Sequence, residues 1–276
     1  MQPLSVSLRL TVDEETLIKR VGEACASGLP DATPEPGAGK SIAIVCPGPS
    51  IKKTWWEALK FEEVWAVNAA HDFLLSKNVK PTHGFVMCPG DTIAEYMKEP
   101  QHGVVYYVAS QTNPVILDRM RGRAVFLFHA YQHGYAGLMQ EFGRLGKLPL
   151  VHGGGSHAGL RAIYFARLIR GITDIHVFGL DASFADGEHH AGEQFLLDSC
   201  EIECEGRTFR SLPSYADQVN QMVALVRFLP DVKVTFYGDG LMQWAFRGKE
   251  NGSDSTLRAG HRQSEQAVET ERGHHA

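Results

Sequence analysis

The stretch that decides the fold runs from Leu150 to Asp181, LVHGGGSHAGLRAIYFARLIRGITDIHVFGLD. A short apolar strand breaks into Gly153-Gly154-Gly155-Ser156, a helical segment follows to about Ile169, and a second strand, Ile175 to Leu180, ends on Asp181. This is a βαβ unit with glycines at the opening of its helix. Glycine there lets the backbone come close to a ligand, and the unpaired N–H groups of a first helical turn attract an anion. Ser156 suits the N-cap position, and its hydroxyl can also donate to a phosphate. Asp181 would emerge at the carboxyl edge of the sheet beside that anion site, so a phosphate-bearing ligand is the first expectation.

The same texture extends on both sides of the unit. Short apolar runs at Ile42–Cys46, Val64–Val67, Gly84–Met87, Val104–Val108, Ala124–Phe128, Leu150–Val151, Ile175–Gly179 and Val232–Tyr237 read as strands. Helices are expected at Ile51–Lys60, Ala69–Asn78, Gly137–Leu145, Ser156–Ile169 and Ser214–Phe228, the last with Ser214 as its cap. Near-continuous apolar strands are what a sheet buried on both faces requires. The fold class is therefore α/β, a doubly wound, mostly parallel, Rossmann-like sheet over residues 41–247. Residues 1–40 form an N-terminal appendage: an alternating segment (Ser5 to Leu10), a helix (Asp13 to Cys25) and the linker DATPEPGAG. Residues 248–276 are polar and read as a disordered tail.

Composition excludes several function classes. A 276-residue chain with 43% apolar content can bury a full core. A net charge of −5 gives no basic footprint, which argues against a nucleic-acid partner. No apolar run reaches membrane-spanning length, and MQPLSVSLRLTVDEE lacks a signal-peptide pattern. Five cysteines, an odd number, argue against a disulfide framework, so a soluble cytoplasmic protein is expected. Oligomeric state is not readable at this level.

Ligands of an open parallel sheet bind outside the carboxyl ends of its strands, so the residues after each strand carry the site. The first strand is followed by Pro47-Gly48-Pro49-Ser50, a rigid turn into a helix N-terminus and a phosphate candidate in its own right. Asn68 follows the second strand, Cys88-Pro89-Gly90-Asp91 the third, and Asp181 the seventh. Gly37-Ala38-Gly39-Lys40-Ser41 is not a P-loop: the motif's first glycine would fall on Pro34, and the segment enters a strand rather than a helix. Gly153-x-Gly155-x-x-x-Gly159 departs from the dinucleotide spacing, and Cys200-x3-Cys204 has no second ligand pair for zinc. His189 and His190, in the polar loop after Asp181, suit general acid–base work on a proton. Asp181 and Asp91 are the carboxylates that would hold Mg²⁺ beside phosphates if the reaction needs it.

In this order, GPS after the first strand, Asn68 after the second, GGGS opening a helix and Phe178-Gly179-Leu180-Asp181 closing the next strand resemble the MptE-like 6-hydroxymethylpterin diphosphokinase domain family. The same skeleton is similar to bacterial sialyltransferases with a single Rossmann-like domain. The resemblance implies nucleotide contacts at Gly48, Pro49, Ser50, Asn68, Gly153, Gly154, Gly155 and Ser156, with proton handling at His190 or His189 and an orienting or metal-binding role for Asp181. It further implies a nucleotide-binding transferase that moves diphosphate from ATP, with Mg²⁺, to a hydroxymethyl acceptor. The alternatives are transfer of a sugar from a nucleotide-sugar to a small-molecule or glycan acceptor, and a nucleotide-binding protein without catalysis.

Overall fold

The computed structural model describes residues 12–35, 40–188 and 199–248, and the backbone of 257–259. Its centre is an eight-stranded, all-parallel sheet built from β1 (Ser41–Val45), β2 (Glu63–Val67), β3 (His83–Val86), β4 (Val105–Ala109), β5 (Ala124–Ala130), β6 (Val151–His152), β7 (Asp174–Phe178) and β10 (Lys233–Tyr237). The spatial order is β10-β7-β1-β2-β3-β4-β5-β6. All eight are strands expected from the sequence, each displaced by no more than two residues at either end.

Alternate side chains of these strands enter different cores, which is why the runs are apolar throughout rather than patterned. Ile42 and Ile44 of β1 pack with Trp65, Phe85, Phe165 and Val177, whereas Ala43 and Val45 pack with Ala66, Leu74 and Phe178. The first core is roofed by α6 (Ala158–Arg170) and α7 (Pro213–Phe228), the second by α2 (Ile51–Thr54), the 3-10 turn that continues it and α3 (Ala70–Ser76). Farther along the second face, α4 (Pro114–Arg119) covers β3 and β4.

Chain direction along the sheet reverses once. From β1 the chain steps outward through β2 to β6, and α6 then carries it back across the sheet to β7, on the other side of β1. The β1/β7 junction is the topological switch point, where the loops after two adjacent strands diverge and leave a crevice.

Helix α4, a small second sheet and a short helix after β10 lie outside the expected elements, whereas the N-terminal helix was expected. Between β7 and β10 an antiparallel hairpin, β8 (Cys200–Cys204) and β9 (Arg207–Ser211), joins the strand β11 (Leu257–Ala259) in a small second sheet. The hairpin is fastened to the main domain where Ser211 Oγ donates to Ala182 O at 2.7 Å. A short helix, α8 (Leu241–Ala245), follows β10. The helix at the N-terminus, α1 (Glu14–Ala26), is capped by Asp13 and buries Leu17 and Val21 against Leu138 and Phe142 of α5 (Ala136–Arg144). The linker then lies beside β5, where Asp31 is bonded by its carboxylate to His129 and Lys147.

Two expected caps are displaced. Leu212, not Ser214, occupies the N-cap of α7, because Pro213 takes the first helical position, where its missing N–H costs nothing. His157, not Ser156, occupies the N-cap of α6. Both the N–H and the hydroxyl of Ser156 are held instead by Gln221 Oε1, at 2.7 and 3.1 Å.

Candidate functional site at the β1/β7 switch point

A cavity of about 210 Å³ occupies the switch point. Cys46, Pro47 and Gly48 form one wall, Gly179 to Ala182 the opposite one, and Asn68 and Val67 the end beneath β2. The first residues of α6, His157, Ala158 and Gly159, line it together with Tyr215 and Gln218 of α7.

The two loop walls are held together by backbone and by one carboxylate. Gly48 N–H donates to Gly179 O at 2.8 Å. A Cβ on Gly48 would run into that carbonyl and lie 2.6 Å from Asp181 Oδ2, so only glycine allows the approach. Asp181 is 3% exposed and accepts three hydrogen bonds, from Ser50 N–H (2.8 Å), Ser50 Oγ (2.5 Å) and Gln243 Nε2 (3.0 Å). Its own carbonyl receives Met242 N–H at 3.0 Å. Burial pushes the Asp181 carboxyl above the usual carboxylate range, and the bonds from Ser50 and Gln243 oppose that shift. Asp181 therefore ties the turns after β1, β7 and β10 into one unit.

Asn68 is also engaged. It sits in the left-handed region at φ 47°, and its side chain exchanges two hydrogen bonds with the backbone of Met87, at 3.0 and 3.2 Å. That amide continues the β2–β3 ladder past the end of the strands, and Asn68 is among the residues lining the cavity. An asparagine tolerates this conformation better than most residues, which accounts for the residue type.

The donors left facing the cavity belong to α6. No side chain caps this 13-residue helix, and its first intrahelical bond is Arg161 N–H to His157 O. The N–H groups of Ala158 and Gly159, ahead of that bond, thus open into the cavity, and the helix dipole adds positive potential there. Gly159 lets α6 approach this closely, since a Cβ would stand 2.8 Å from Cys46 Sγ and 2.9 Å from Leu180 Cδ1. Gln218 Nε2 donates to His157 Nδ1 at 2.9 Å. In the neutral ring this leaves the proton on the buried Nε2.

The glycine turn Gly153-Gly154-Gly155-Ser156 does not line the cavity. Gly154 and Gly155 have φ of 100° and 97°, and a Cβ on Gly154 would stand 2.6 Å from Tyr164 Cβ. The turn is folded onto the side of α6 and clamped by buried Arg161, which donates to the carbonyls of Tyr131, His152 and Gly153. The sequence expectation put the anion at the first helical turn of a helix opening at Ser156; the helix opens two residues farther on, and His157, Ala158 and Gly159 are the residues that line the cavity. The signal was present in the sequence as the residues His157-Ala158-Gly159 that follow the serine.

The remaining expected residues are dispersed. Asp91 is exposed after β3, where it accepts from Asn113 and faces Arg20. Three strand spacings, about 14 Å, separate the ends of β3 and β7, so Asp91 and Asp181 do not meet. Among the described residues no three His, Cys, Asp or Glu side chains converge on a point. Asp181 already accepts three hydrogen bonds, and Asp91 stands too far away to share a ligand with it. His189 and His190 lie outside the described residues, and no helix among those described is long and apolar enough to cross a membrane.

No family model matches the chain, and no curated protein matches it in sequence. The fold is shared with known structures. The MAf glycosyltransferase from Magnetospirillum magneticum AMB-1 superposes with a TM-score of 0.60 at 13% identity, over 86% of this chain and 38% of that one. The chain thus spans less than half the length of that protein. Two structures of a mammalian sialyltransferase, one with Gal-beta-1-3GalNAc-ortho-nitrophenol, align over 86% of this chain and 90% of theirs, with TM-scores of 0.44 at 14% and 15% identity.

Proposed function

We propose that this chain is a glycosyltransferase domain that holds the phosphate of a nucleotide-sugar donor at the β1/β7 switch point. The observation that carries the reading is the uncapped N-terminus of α6, whose Ala158 and Gly159 N–H groups face a cavity built from close-packed backbone. The fold shared with the MAf glycosyltransferase supports it. This is the second of the transferase readings. Diphosphate transfer would need Mg²⁺ to neutralise charge between phosphates, and the carboxylates described do not supply its ligands.

In this reading an acceptor hydroxyl attacks the anomeric carbon, the bond from that carbon to the donor's phosphate oxygen breaks, and the nucleotide leaves with the electron pair. The charge appearing on the leaving phosphate is met by the N–H groups of Ala158 and Gly159. These donors are fixed before the reaction, so no reorganisation opposes it. The acceptor's proton is assigned to His189 or His190, seven residues or more beyond Ala182 in sequence. Asp181 keeps the walls at their spacing and takes no part in the bond changes.

A thermal-shift screen against CMP-, UDP- and GDP-sugars and ATP, each with EDTA and with Mg²⁺, tests this. One nucleotide-sugar series should raise the melting temperature equally in EDTA, and acceptor turnover should release the free nucleotide. Stabilisation by ATP that requires Mg²⁺, with AMP as product, would restore the diphosphokinase reading. Binding of nucleotide without turnover of any donor would favour the non-catalytic one.

A further inference from the structure

Arg161 closes the first turn of α6 and is 4% exposed, the only arginine or lysine among the described residues that is buried. Its guanidinium donates to three main-chain carbonyls, His152 O at 2.8 Å, Gly153 O at 3.2 Å and Tyr131 O, and its Nε is buried with no hydrogen-bond partner. Among the described residues no carboxylate acts on it. Burial alone pulls its pKa down to about 10, which leaves it charged at neutral pH. The buried carboxylates are engaged elsewhere: Glu63 with Arg170 at 3.2 Å, and Asp181 with Ser50 and Gln243. Arg170 and Lys147, which are partly buried, each have a counter-ion, Glu63 and Asp31. Arg161 has none. Carbonyl dipoles offset only part of the cost of holding a charge out of water. The uncompensated charge is felt nearby: His152 has its pKa pulled down to about 4 by burial, with His129 and Arg161 adding to the shift.

We propose that Arg161 is the fixed counter-charge of the donor's phosphate, acting across the first turn of α6 without touching the ligand. The inference rests on the reading of the switch-point cavity as a phosphate site. Ala158, which lines that cavity, stands three residues before Arg161 and is its neighbour on the helix surface. The three carbonyls hold the guanidinium in place, so its field at the helix N-terminus is present before any ligand arrives. A fixed positive charge favours whichever ligand form is more negative. The nucleotide leaves with one more negative charge than it carries in the donor, so Arg161 favours the bond cleavage as well as the binding. The residue that clamps the glycine turn therefore also sets the preference of the site for a free phosphate over a phosphate ester.

Calorimetric titration of the full chain with CMP, UMP, GMP and AMP, and with the methyl ester of each, tests this at about pH 8. There a phosphate monoester carries two negative charges and its methyl ester one. Arg161→Gln keeps a donor for the carbonyls and loses the charge, whereas Arg161→Lys keeps the charge with fewer donors. Unit charges on the order of 10 Å apart, at an effective dielectric constant of about 20, change a binding constant about tenfold. Arg161→Gln should therefore weaken the methyl ester about tenfold and the nucleotide about a hundredfold. Arg161→Lys should stay within about threefold of the parent for both. An equal loss for the two ligands, which lost packing would produce, overturns the proposal, as does a Lys variant as weak as the Gln variant. Where Arg161→Gln does not fold, the parent decides: its Arg161 Nε–H resonance should shift more with the nucleotide than with the ester, and an unmoved resonance overturns the proposal. A parent that binds none of the four nucleotides overturns the phosphate reading of the cavity itself, and this inference with it.

Discussion

The chain has two glycine-bearing strand-to-helix turns at the carboxyl edge of its sheet, Pro47–Ser50 and Gly153–Ser156, and they do different things. The first crosses the switch point: its glycine permits backbone contact with Gly179, and its serine spends both N–H and hydroxyl on Asp181. The second turns against the flank of α6, with Gly154 against Tyr164 and Ser156 held by Gln221. Each turn consumes its own polar groups internally. What reaches the cavity is the helix end beyond the second turn. A glycine-rich turn thus reports close packing as directly as it reports a ligand, and the two are separated only by where the N–H groups go.

Valine substitutions press hardest on this comparison. Gly48→Val would drive a branched side chain into the Gly179 carbonyl and Asp181, and Gly154→Val into Tyr164 and the Arg161 backbone at φ 100°. Each should cost about 4 kcal/mol or prevent folding, as read by urea denaturation. The Gly48 variant should also lose nucleotide-dependent stabilisation, because its turn forms the cavity wall. The folded fraction of the Gly154 variant should keep the nucleotide affinity of the parent. Loss of binding in a folded Gly154 variant would move the anion back to the second turn.

The residues that clamp the turns come next. Asp181→Asn turns an amide N–H₂ toward donors that need an acceptor, and should cost about 2–3 kcal/mol at neutral pH. Gln221→Ala frees Ser156 and Asp217, both half-buried, and about 1 kcal/mol is expected. The Asp181 effect should depend on pH. Its folded pKa is raised by burial, so the folded state binds the proton more tightly than the unfolded chain does. Its contribution to stability is greatest below the unfolded value near 3.8 and falls as pH rises through the folded value. The stability difference between parent and Asp181→Asn should therefore widen in the parent's favour on acidification across that window. A difference independent of pH would mean that Asp181 is not buried as a strained carboxylate.

Smallest is the pair of serines. Ser50→Ala removes one bond to a buried carboxylate and should cost about 1.5 kcal/mol, whereas Ser156→Ala should cost less than about 1 kcal/mol. Neither should change nucleotide affinity by more than about threefold, since neither hydroxyl is offered to the ligand. A Ser156→Ala variant that binds nucleotide an order of magnitude more weakly would contradict the assignment of its hydroxyl to Gln221.

Much of the architecture was legible because apolar runs and their spacing are local properties. Every strand of the main sheet could be read from a run of Val, Ile, Phe or Ala, and Asp181 could be placed at the edge of β7. The hairpin of β8 and β9 carried a fainter signal. Cys200, Ile202 and Cys204 alternate with glutamates, and the two-residue turn Glu205-Gly206 has positive φ at both positions, as a tight hairpin demands. Helix α4 announced itself by Asn113-Pro114, a capping residue before a first-turn proline, in a segment too short for helical periodicity to register. The site was harder to read than the fold. Whether Ser50, Asn68 and Ser156 present their polar groups to a ligand depends on Asp181, Met87 and Gln221, which lie 131, 19 and 65 residues away in sequence. The bonding of His157 likewise rests on Gln218, 61 residues on.

The central claim is that the N-terminus of α6, and not the glycine turn before it, meets the phosphate. Amide chemical shifts recorded while the full chain is titrated with the nucleotide of the stabilising donor test it most directly. The Ala158 and Gly159 amides are expected to move most, while Gly154 and Gly155 stay near their starting positions. Large shifts at Gly153 to Gly155 with Ala158 and Gly159 unmoved would contradict it.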